Sequence, residues 1–311
     1  MINNFKEQLI TLYKQGFNET DEYTDFFFSR RYREENVAYV EDKGRIISAL
    51  HLLPQKIMLG GRAVSAGFVS SAATLPEYRG KGVFFETMSR VYEMLKKNGM
   101  EYCFLYPFKH EYYKKHGFIE YSYVNTRVAG VKQMGTEGIC LPVVYNGLPA
   151  QIPPSPFVSK YTAEQYASGD RKLFSLIKET YESVCAGFEG WVVRDDAEWE
   201  YRLNEARADK GIVLVIKSDN NVNGYAFISR GKIEECCFTD FTGLKNEESY
   251  LIDSVKELAG MEYTAPLRKK LKDAKELLVA APFGMIKKTG CTAEQTYEFF
   301  KDKRGLLFDK Y

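Results

Sequence analysis

The chain has 311 residues, 45% of them hydrophobic, which is long and apolar enough for two domains with buried cores. Its 43 lysines and arginines nearly balance its 42 aspartates and glutamates, so the net charge of +1 gives no electrostatic basis for binding nucleic acid or an anionic membrane. No apolar run approaches the ~20 residues that a membrane span needs. The N-terminus shows no charged segment followed by an apolar run, as an export signal would, so we expect a cytoplasmic protein.

Cysteine and histidine are too scattered to indicate a metal centre. The six cysteines form no C-x-x-C pair, and the three histidines show no ligand spacing. We therefore expect reduced thiols in the core and no metal.

Two helices and a set of strands open the chain. Apolar spacing predicts helices at residues 5–17 and 23–33. Strand-like runs joined by glycine-containing turns follow at residues 37–40, 46–54, 56–59 and 64–73.

A glycine-bearing loop connects the last of these strands to a helix at residues 85–97. The loop sequence is Arg79-Gly80-Lys81-Gly82-Val83-Phe84. The first N–H groups of a helix have no intrahelical partner, and the macrodipole makes that end positive. The two glycines permit the close or left-handed backbone that aims these groups at a phosphate. The order of the parts predicts an anion cradle, and a plain turn is the alternative interpretation.

The next elements close a first domain. They are a strand at residues 101–106, a short helix at 112–116 and a strand at 118–131. We therefore place the first domain at residues 1–132 and a linker at 133–157, where proline and glycine are frequent and no period is sustained.

The remaining residues, 158–311, repeat this order of elements without the loop. Helices are predicted at residues 171–181, 195–207, 245–258 and 292–301, and strands at 212–217, 224–230, 232–238 and 276–282. The predicted fold class is α/β (α+β), with a mixed, mostly antiparallel sheet flanked by helices in each of two domains.

The loop resembles the R/Q-x-x-G-x-G/A motif of the GNAT superfamily of acetyl-CoA-dependent N-acetyltransferases, which holds the pyrophosphate of CoA. Arg79, Gly80 and Gly82 match the motif, and Phe84 departs from it. A bulky residue at that position is typical of the Eis-type (enhanced intracellular survival) branch. The pattern V-x-P-x-x-R-x-x-G-x-L of that branch resembles residues 74–84.

The resemblance implies two GNAT-like domains in tandem, the second degenerate, and no evident sterol-carrier-like third domain, because the chain looks too short to hold one. It implies acetyl-CoA as co-substrate, an amine acceptor that is a small molecule or a lysine-like group, and a homo-oligomeric assembly. The residues that it assigns to acetyl-CoA are Ala72, Ala73, Thr74, Arg79, Gly80, Lys81, Gly82, Val83, Phe84, Phe85 and Phe108.

Two of these assignments have packing alternatives. The small residues at 72–74 could form a splayed strand edge that donates to the thioester carbonyl, or could simply pack a buried strand. Phe108, with Tyr106, falls where the family brings residues beside the pantetheine, but the same residues could be a strand end that caps the core.

Residues 112–118 resemble the F-Y-x-x-x-G-F segment that closes the first domain of these enzymes. The resemblance assigns the general acid to Tyr113, four residues before Gly117. Tyr112 is wrongly spaced by one residue, and a tyrosine packed at a helix–strand junction is the alternative interpretation.

The base that takes a proton from the amine is less defined. In the Eis-type branch the terminal carboxylate serves as base, which here is Tyr311. Glu34, Glu35, Glu111 and water are the other options.

Two other functions are compatible with the same loop. A CoA-binding sensor or interaction protein needs no general acid. Transfer of a longer acyl group needs a roomy channel, against which the bulky Phe84, Phe85 and Phe108 argue if they point inward.

Overall fold

The computed structural model describes residues 5–129, 162–166, 169–218, 221–229, 232–238 and 276–300. The chain divides into two compact units, one formed by Met1–Ser122, Phe188–Asp209 and Phe283–Tyr311 and the other by Tyr123–Gly187 and Lys210–Pro282. The second and third segments of the first unit fall within residues 158–311, the predicted second domain. The predicted boundaries at 132 and 157, the linker and the helix at 245–258 lie outside the described residues.

The strands are β1 (Val37–Asp42), β2 (Arg45–Leu59), β3 (Arg62–Thr74), β4 (Tyr102–Leu105), β5 (Ile119–Ala129), β6 (Thr162–Gln165), β7 (Ile212–Ser218), β8 (Asn221–Ser229), β9 (Lys232–Phe238) and β10 (Glu276–Lys288). The helices are α1 (Phe5–Gly16), α2 (Asp21–Arg30), α3 (Val83–Lys97), α4 (His110–Lys114), α5 (Arg171–Cys185), α6 (Asp196–Ala208) and α7 (Ala293–Phe300).

The sheet of the first unit has the order β1-β2-β3-β4-β10-β5. β1, β2 and β3 pair antiparallel, and β10 pairs antiparallel with β4. β3 and β4 are parallel, and their register runs only from Ala66↔Tyr102 to Val69↔Leu105. β4 ends there while β3 continues to Thr74, so β3 leaves this neighbour before its own end. The predicted class, a mixed and mostly antiparallel sheet flanked by helices, is confirmed.

Apolar side chains cover both faces of this sheet. On one face α3 packs with Leu50, Leu52 and Val69 in a buried cluster, which we call the α3 face. On the other, α1 and α2 pack with Ile47, Ala49 and further buried residues, which we call the α1/α2 face.

The helical spacing of its buried residues explains α3. Met88, Val91 and Leu95 are fully buried and lie three or four positions apart, and the buried Thr87 lies beside Met88, so the four form one face of the helix. The cations in the last turn stabilise its C-terminus through the macrodipole.

One sequence prediction is corrected within β2, which was expected to be two strands. The structure continues a single strand through Pro54, paired with Gly67 of β3. β1 pairs with β2 only as far as His51, so β2 has one neighbouring strand at Pro54, and proline is tolerated at such an edge.

Later parts of the chain complete the first unit. The amide of Met58 donates to the carbonyl of Trp191 (2.9 Å), and that of Val193 donates to Lys56 (2.8 Å). The ring of Phe300 in α7 packs on Tyr121, with centroids 4.5 Å apart.

The second unit contains an antiparallel sheet of order β6-β7-β8-β9 with α5 packed on β8. Asp170 caps the N-terminus of α5, because its side chain accepts a hydrogen bond from the amide of Leu173 (3.0 Å). The buried hydroxyl of Tyr225 donates to Glu235 (2.6 Å). That this unit is a degenerate GNAT-like domain stays a prediction. In the part of the chain that the structure describes, no helix combines the length and apolar character of a membrane span.

Candidate active site

A β-bulge distorts β3 just beyond its pairing with β4. Ala49 pairs with Ala73 and His51 with Ser70, so Ser71 and Ala72 together oppose the single residue Leu50. Ser71 has a φ of +55°, which is unusual for a residue other than glycine. A bulge bends its strand and redirects backbone groups, so β3 is distorted beside residues 72–74, where the resemblance predicts a splayed strand edge.

The small residues at this edge also pack. Ala72 lies against the α3-face cluster, whereas Ala73 is buried on the α1/α2 face. A Cβ added to Gly16 would lie 2.9 Å from the Cβ of Ala73, so the end of α1 packs directly on this residue. The functional and packing interpretations are therefore compatible.

A chain of hydroxyl groups joins the edge to α3. The Thr74 hydroxyl lies 2.9 Å from that of Ser48, which lies 2.8 Å from that of Thr87. Thr87 is also bonded to the carbonyl of Val83 (3.0 Å), in the first turn of α3. Because Ser48 and Thr87 are fully buried, this chain holds the end of β3 and the start of α3 together. Sequence reasoning missed both residues, since neither lies in a motif.

The loop between β3 and α3 has the backbone that its glycines predict. Gly80 and Gly82 have φ values of +75° and +80°, and a Cβ added at either would meet no atom within 4 Å. The first bonds of α3 run from the amides of Phe85 and Glu86 to the Gly82 carbonyl (2.9 and 3.3 Å). The amide of Val83 precedes these bonds and has no acceptor within the helix.

The charges around the loop favour an anion. The Arg79 side chain donates from Nε to the Thr74 carbonyl (3.0 Å), and the Lys81 ammonium lies 5.5 Å from the centroid of the Tyr78 ring. The nearby acids are engaged elsewhere, Glu77 with Arg45 and Glu86 with Arg90 (3.1 Å each). The N-terminus of α3 adds its own positive potential.

Phe84 and Phe85, which follow the glycines, differ in burial and in the ring that each contacts. Phe84 is half-buried, and its ring meets that of Tyr113 edge-on, with centroids 5.8 Å apart and planes at 89°. Phe85 is 61% exposed and lies against His116 at 4.9 Å. The bulky residue that departs from the superfamily motif thus packs on the predicted acid.

Tyr113 lies in α4 on the α3 face. It is 8% exposed, and its ring also packs against that of Phe118, 6.0 Å away. Burial, with a smaller contribution from the Cys103 thiol, raises the pKa of the phenol to about 12. The phenol therefore keeps its proton across the physiological range, as a general acid must.

The turn after Tyr113 is held from two directions. The His116 carbonyl accepts the hydroxyl of Tyr92 (2.9 Å) and the ammonium of Lys287 (2.6 Å). That ammonium lies 4.4 Å from the centroid of the Tyr92 ring, as in a cation–π contact. Lys287 belongs to β10, and no local signal in the sequence links it to α4.

The remaining predicted site residues differ in their exposure. Phe108 is 88% exposed, whereas Tyr106 packs against Phe68 with centroids 5.6 Å apart. Tyr112 is 53% exposed. Tyr311 lies outside the described residues, and Glu34, Glu35 and Glu111 are exposed.

Comparison with known proteins supports the class of enzyme that the sequence predicts, an acetyltransferase. Residues 3–121 match the family model described as an acetyltransferase (GNAT) domain. No curated protein matches the sequence.

Several solved structures share the fold. A conserved protein from Enterococcus faecalis, described as a probable N-acyltransferase, is 18% identical with a TM-score of 0.59, over 96% of this chain and 73% of that one. A GCN5-related N-acetyltransferase from Anabaena variabilis is 15% identical with a TM-score of 0.60, over 93% and 71%. Eis1 from Mycobacterium abscessus is 12% identical with a TM-score of 0.51, over 91% and 70%.

The fold, the loop and the family match together define an acyltransferase domain in the first unit. Residues 3–121 match the model of an acetyltransferase (GNAT) domain, a family that transfers acyl groups from acyl-CoA. The prediction of a GNAT-type N-acetyltransferase enzyme is confirmed at this level.

Proposed function

We propose that the protein is an acetyl-CoA-dependent N-acetyltransferase of the Eis type, which acetylates a primary amine of a small molecule or of a lysine-like group. The contact between loop and acid carries this proposal, since Phe84 of the loop packs against the buried Tyr113. An anion cradle beside a protonated phenol suits transfer from a CoA thioester.

Each group has a role set by the charge that it faces in acetyl-CoA or in the transition state. The amides at the start of α3 hold the pyrophosphate, with Arg79 and Lys81 adding positive charge. The backbone at residues 72–74 stabilises the thioester carbonyl oxygen as the amine attacks. The C–N bond forms, the C–S bond breaks, and Tyr113 gives its proton to the departing thiolate.

Three parts of the proposal rest on the sequence resemblance. The bulky Phe84 supports the Eis-type branch, and with it a tandem arrangement of domains and a homo-oligomer. The carboxylate of Tyr311 is the base assigned by that branch, and Phe108 stays an assigned cofactor contact.

The experiment is release of free CoA thiol from acetyl-CoA against a panel of amines. The panel holds spermidine, kanamycin, a lysine-containing peptide and free amino acids. A reaction without amine is the control, because the partly exposed Cys291 can itself react with a thiol reagent. We expect amine-dependent thiol release and an acetylated amine of matching amount. Tight CoA binding with no thiol release on any amine would instead support the non-catalytic sensor.

A further inference from the structure

His51 of β2 is a buried polar side chain that the proposed reaction has not yet used. It is 3% exposed, and neither ring nitrogen has a hydrogen-bond partner among the described residues. Burial lowers the pKa of the imidazole to about 4, so the ring is neutral, with one N–H donor and one acceptor nitrogen. Buried polar groups are rarely left unsatisfied, and an apolar side chain would avoid the loss of hydration.

His51 lies beside the bulge in β3. The residue pairs with Ser70 of β3, immediately before Ser71. Its ring meets aromatic rings of α2, so the side chain lies on the α1/α2 face. Tyr113 lies on the α3 face. A neutral imidazole and a protonated phenol thus lie on opposite faces of the sheet near the bulge.

Three aromatic rings surround the imidazole. Phe27, Phe28 and Tyr32 have centroids 5.1, 5.8 and 6.1 Å from it, with planes at 77° to 85°. Phe27 and Phe28 are buried and Tyr32 is half-buried, so Tyr32 is the most solvent-exposed of the three rings. The ammonium of Lys6 already lies 5.3 Å from the Tyr32 centroid, which shows that this ring can face a cation.

We propose that His51 and these three rings form the subsite for the acceptor amine, with the imidazole accepting a hydrogen bond from the amine N–H group. The inference rests on the proposed acetyl transfer. The amine would approach the thioester from the α1/α2 face and direct its lone pair at the carbonyl carbon. The thiolate would leave toward the α3 face, where Tyr113 protonates it.

The test compares His51→Leu and His51→Gln in the thiol-release assay, using the panel amine with the highest turnover. Leucine removes both polar atoms, whereas the glutamine amide keeps an acceptor. We expect His51→Leu to lower kcat/KM for the amine about 10- to 100-fold, mainly through KM, with the Kd for CoA unchanged. His51→Gln should retain more of the amine kcat/KM than His51→Leu.

Thermal unfolding separates binding from a packing role. Because leucine removes buried unsatisfied polar atoms, the Tm of His51→Leu should equal or exceed that of the unmodified protein. Ile47→Val, a conservative change at a buried position of the same strand, should lower the Tm slightly and leave the amine KM unchanged.

Three results would overturn the inference. One is an amine kcat/KM of His51→Leu within about twofold of the unmodified protein. Another is equal kcat/KM for the leucine and glutamine variants. A third is a fall in Tm together with a loss of CoA affinity. If any of these results is found while the unmodified protein acetylates an amine, only the inference about His51 is rejected and the proposed function stands. If the unmodified protein turns over none of the amines, the proposed function and the inference are both rejected.

Discussion

The ammonium of Lys287 lies 2.6 Å from the carbonyl oxygen of His116, three residues after the proposed acid Tyr113. Lys287 pairs with Cys103 in the register of β10 and β4, so a late strand of the chain contributes directly to the active-site region of the first unit. Burial lowers the pKa of Lys287, and the nearby thiols of Cys103 and Cys291 offset part of that effect.

Replacing Lys287 by methionine should loosen this turn. Methionine keeps much of the packing on Tyr92 but loses the charged hydrogen bond, which is worth about 1.5–3 kcal/mol. We expect a loss of that order in the free energy of unfolding, measured with urea, and a lower kcat with an unchanged Kd for CoA. Lys288→Met is the matched control, because that ammonium lies over the Phe299 ring and does not contact α4. Equal effects of the two variants would contradict the role of Lys287.

Gly82→Trp should separate the cradle from general backbone strain. Gly82 and Gly44 have φ values of +80° and +78°, and neither has an atom within 4 Å of an added Cβ. Gly82→Trp and Gly44→Trp should therefore each cost about 1–2 kcal/mol of stability from backbone strain. Calorimetric titration should show about 100-fold weaker CoA binding for Gly82→Trp alone, because its side chain would fill the cradle. Normal CoA affinity in that variant would reject the assignment.

A buried ionic network should make α6 essential to the first unit. Glu205 is 6% exposed, bonded to Arg202 and to the Tyr23 hydroxyl (2.8 Å) of α2. Arg202→Met leaves the carboxylate buried without its cation, which should cost about 3–5 kcal/mol in denaturant unfolding. Arg207→Met, which removes only an exposed bond to Asn204, should cost less than about 0.5 kcal/mol. A small effect at Arg202 would show that the network contributes little.

Alkaline pH should unfold the first unit. Burial raises the pKa of Tyr113 to about 12, and it raises the pKa values of Tyr92 and Tyr121 as well. Because these folded-state values exceed the unfolded value near 10, their contribution is complete below pH ~10 and is lost as pH rises through the folded values. For Tyr113 alone the loss approaches about 3 kcal/mol at pH ~12. Urea unfolding at increasing pH measures how the free energy of unfolding falls with pH, and Tyr113→Phe should reduce that fall. Unchanged stability above pH ~10 would contradict the burial of these phenols.

Local sequence patterns predicted the elements that depend on near neighbours. The loop glycines adopt the positive φ values that their positions imply, and the apolar spacing of α3 matches its buried face. The strand before the loop and the short helix carrying Tyr113 were also found, with ends displaced by one or two residues.

Pairings between distant segments could not be predicted in this way. β10 joins β4 across most of the chain, and no local pattern specifies such a neighbour. The bulge at Ser71 has no glycine signal, since tertiary packing holds an ordinary residue at positive φ. His51 gave no metal-ligand pattern, and its buried and unsatisfied state is visible only once α2 packs over β2.

The central claim is that Tyr113 gives a proton to the thiolate leaving acetyl-CoA. Its direct test is kcat for amine acetylation by Tyr113→Phe, measured beside the Kd for CoA and the Tm. The account predicts a fall in kcat of about 10²- to 10⁴-fold with CoA affinity and Tm nearly unchanged, because only the buried hydroxyl is removed. A phenylalanine variant that keeps full kcat would contradict the account.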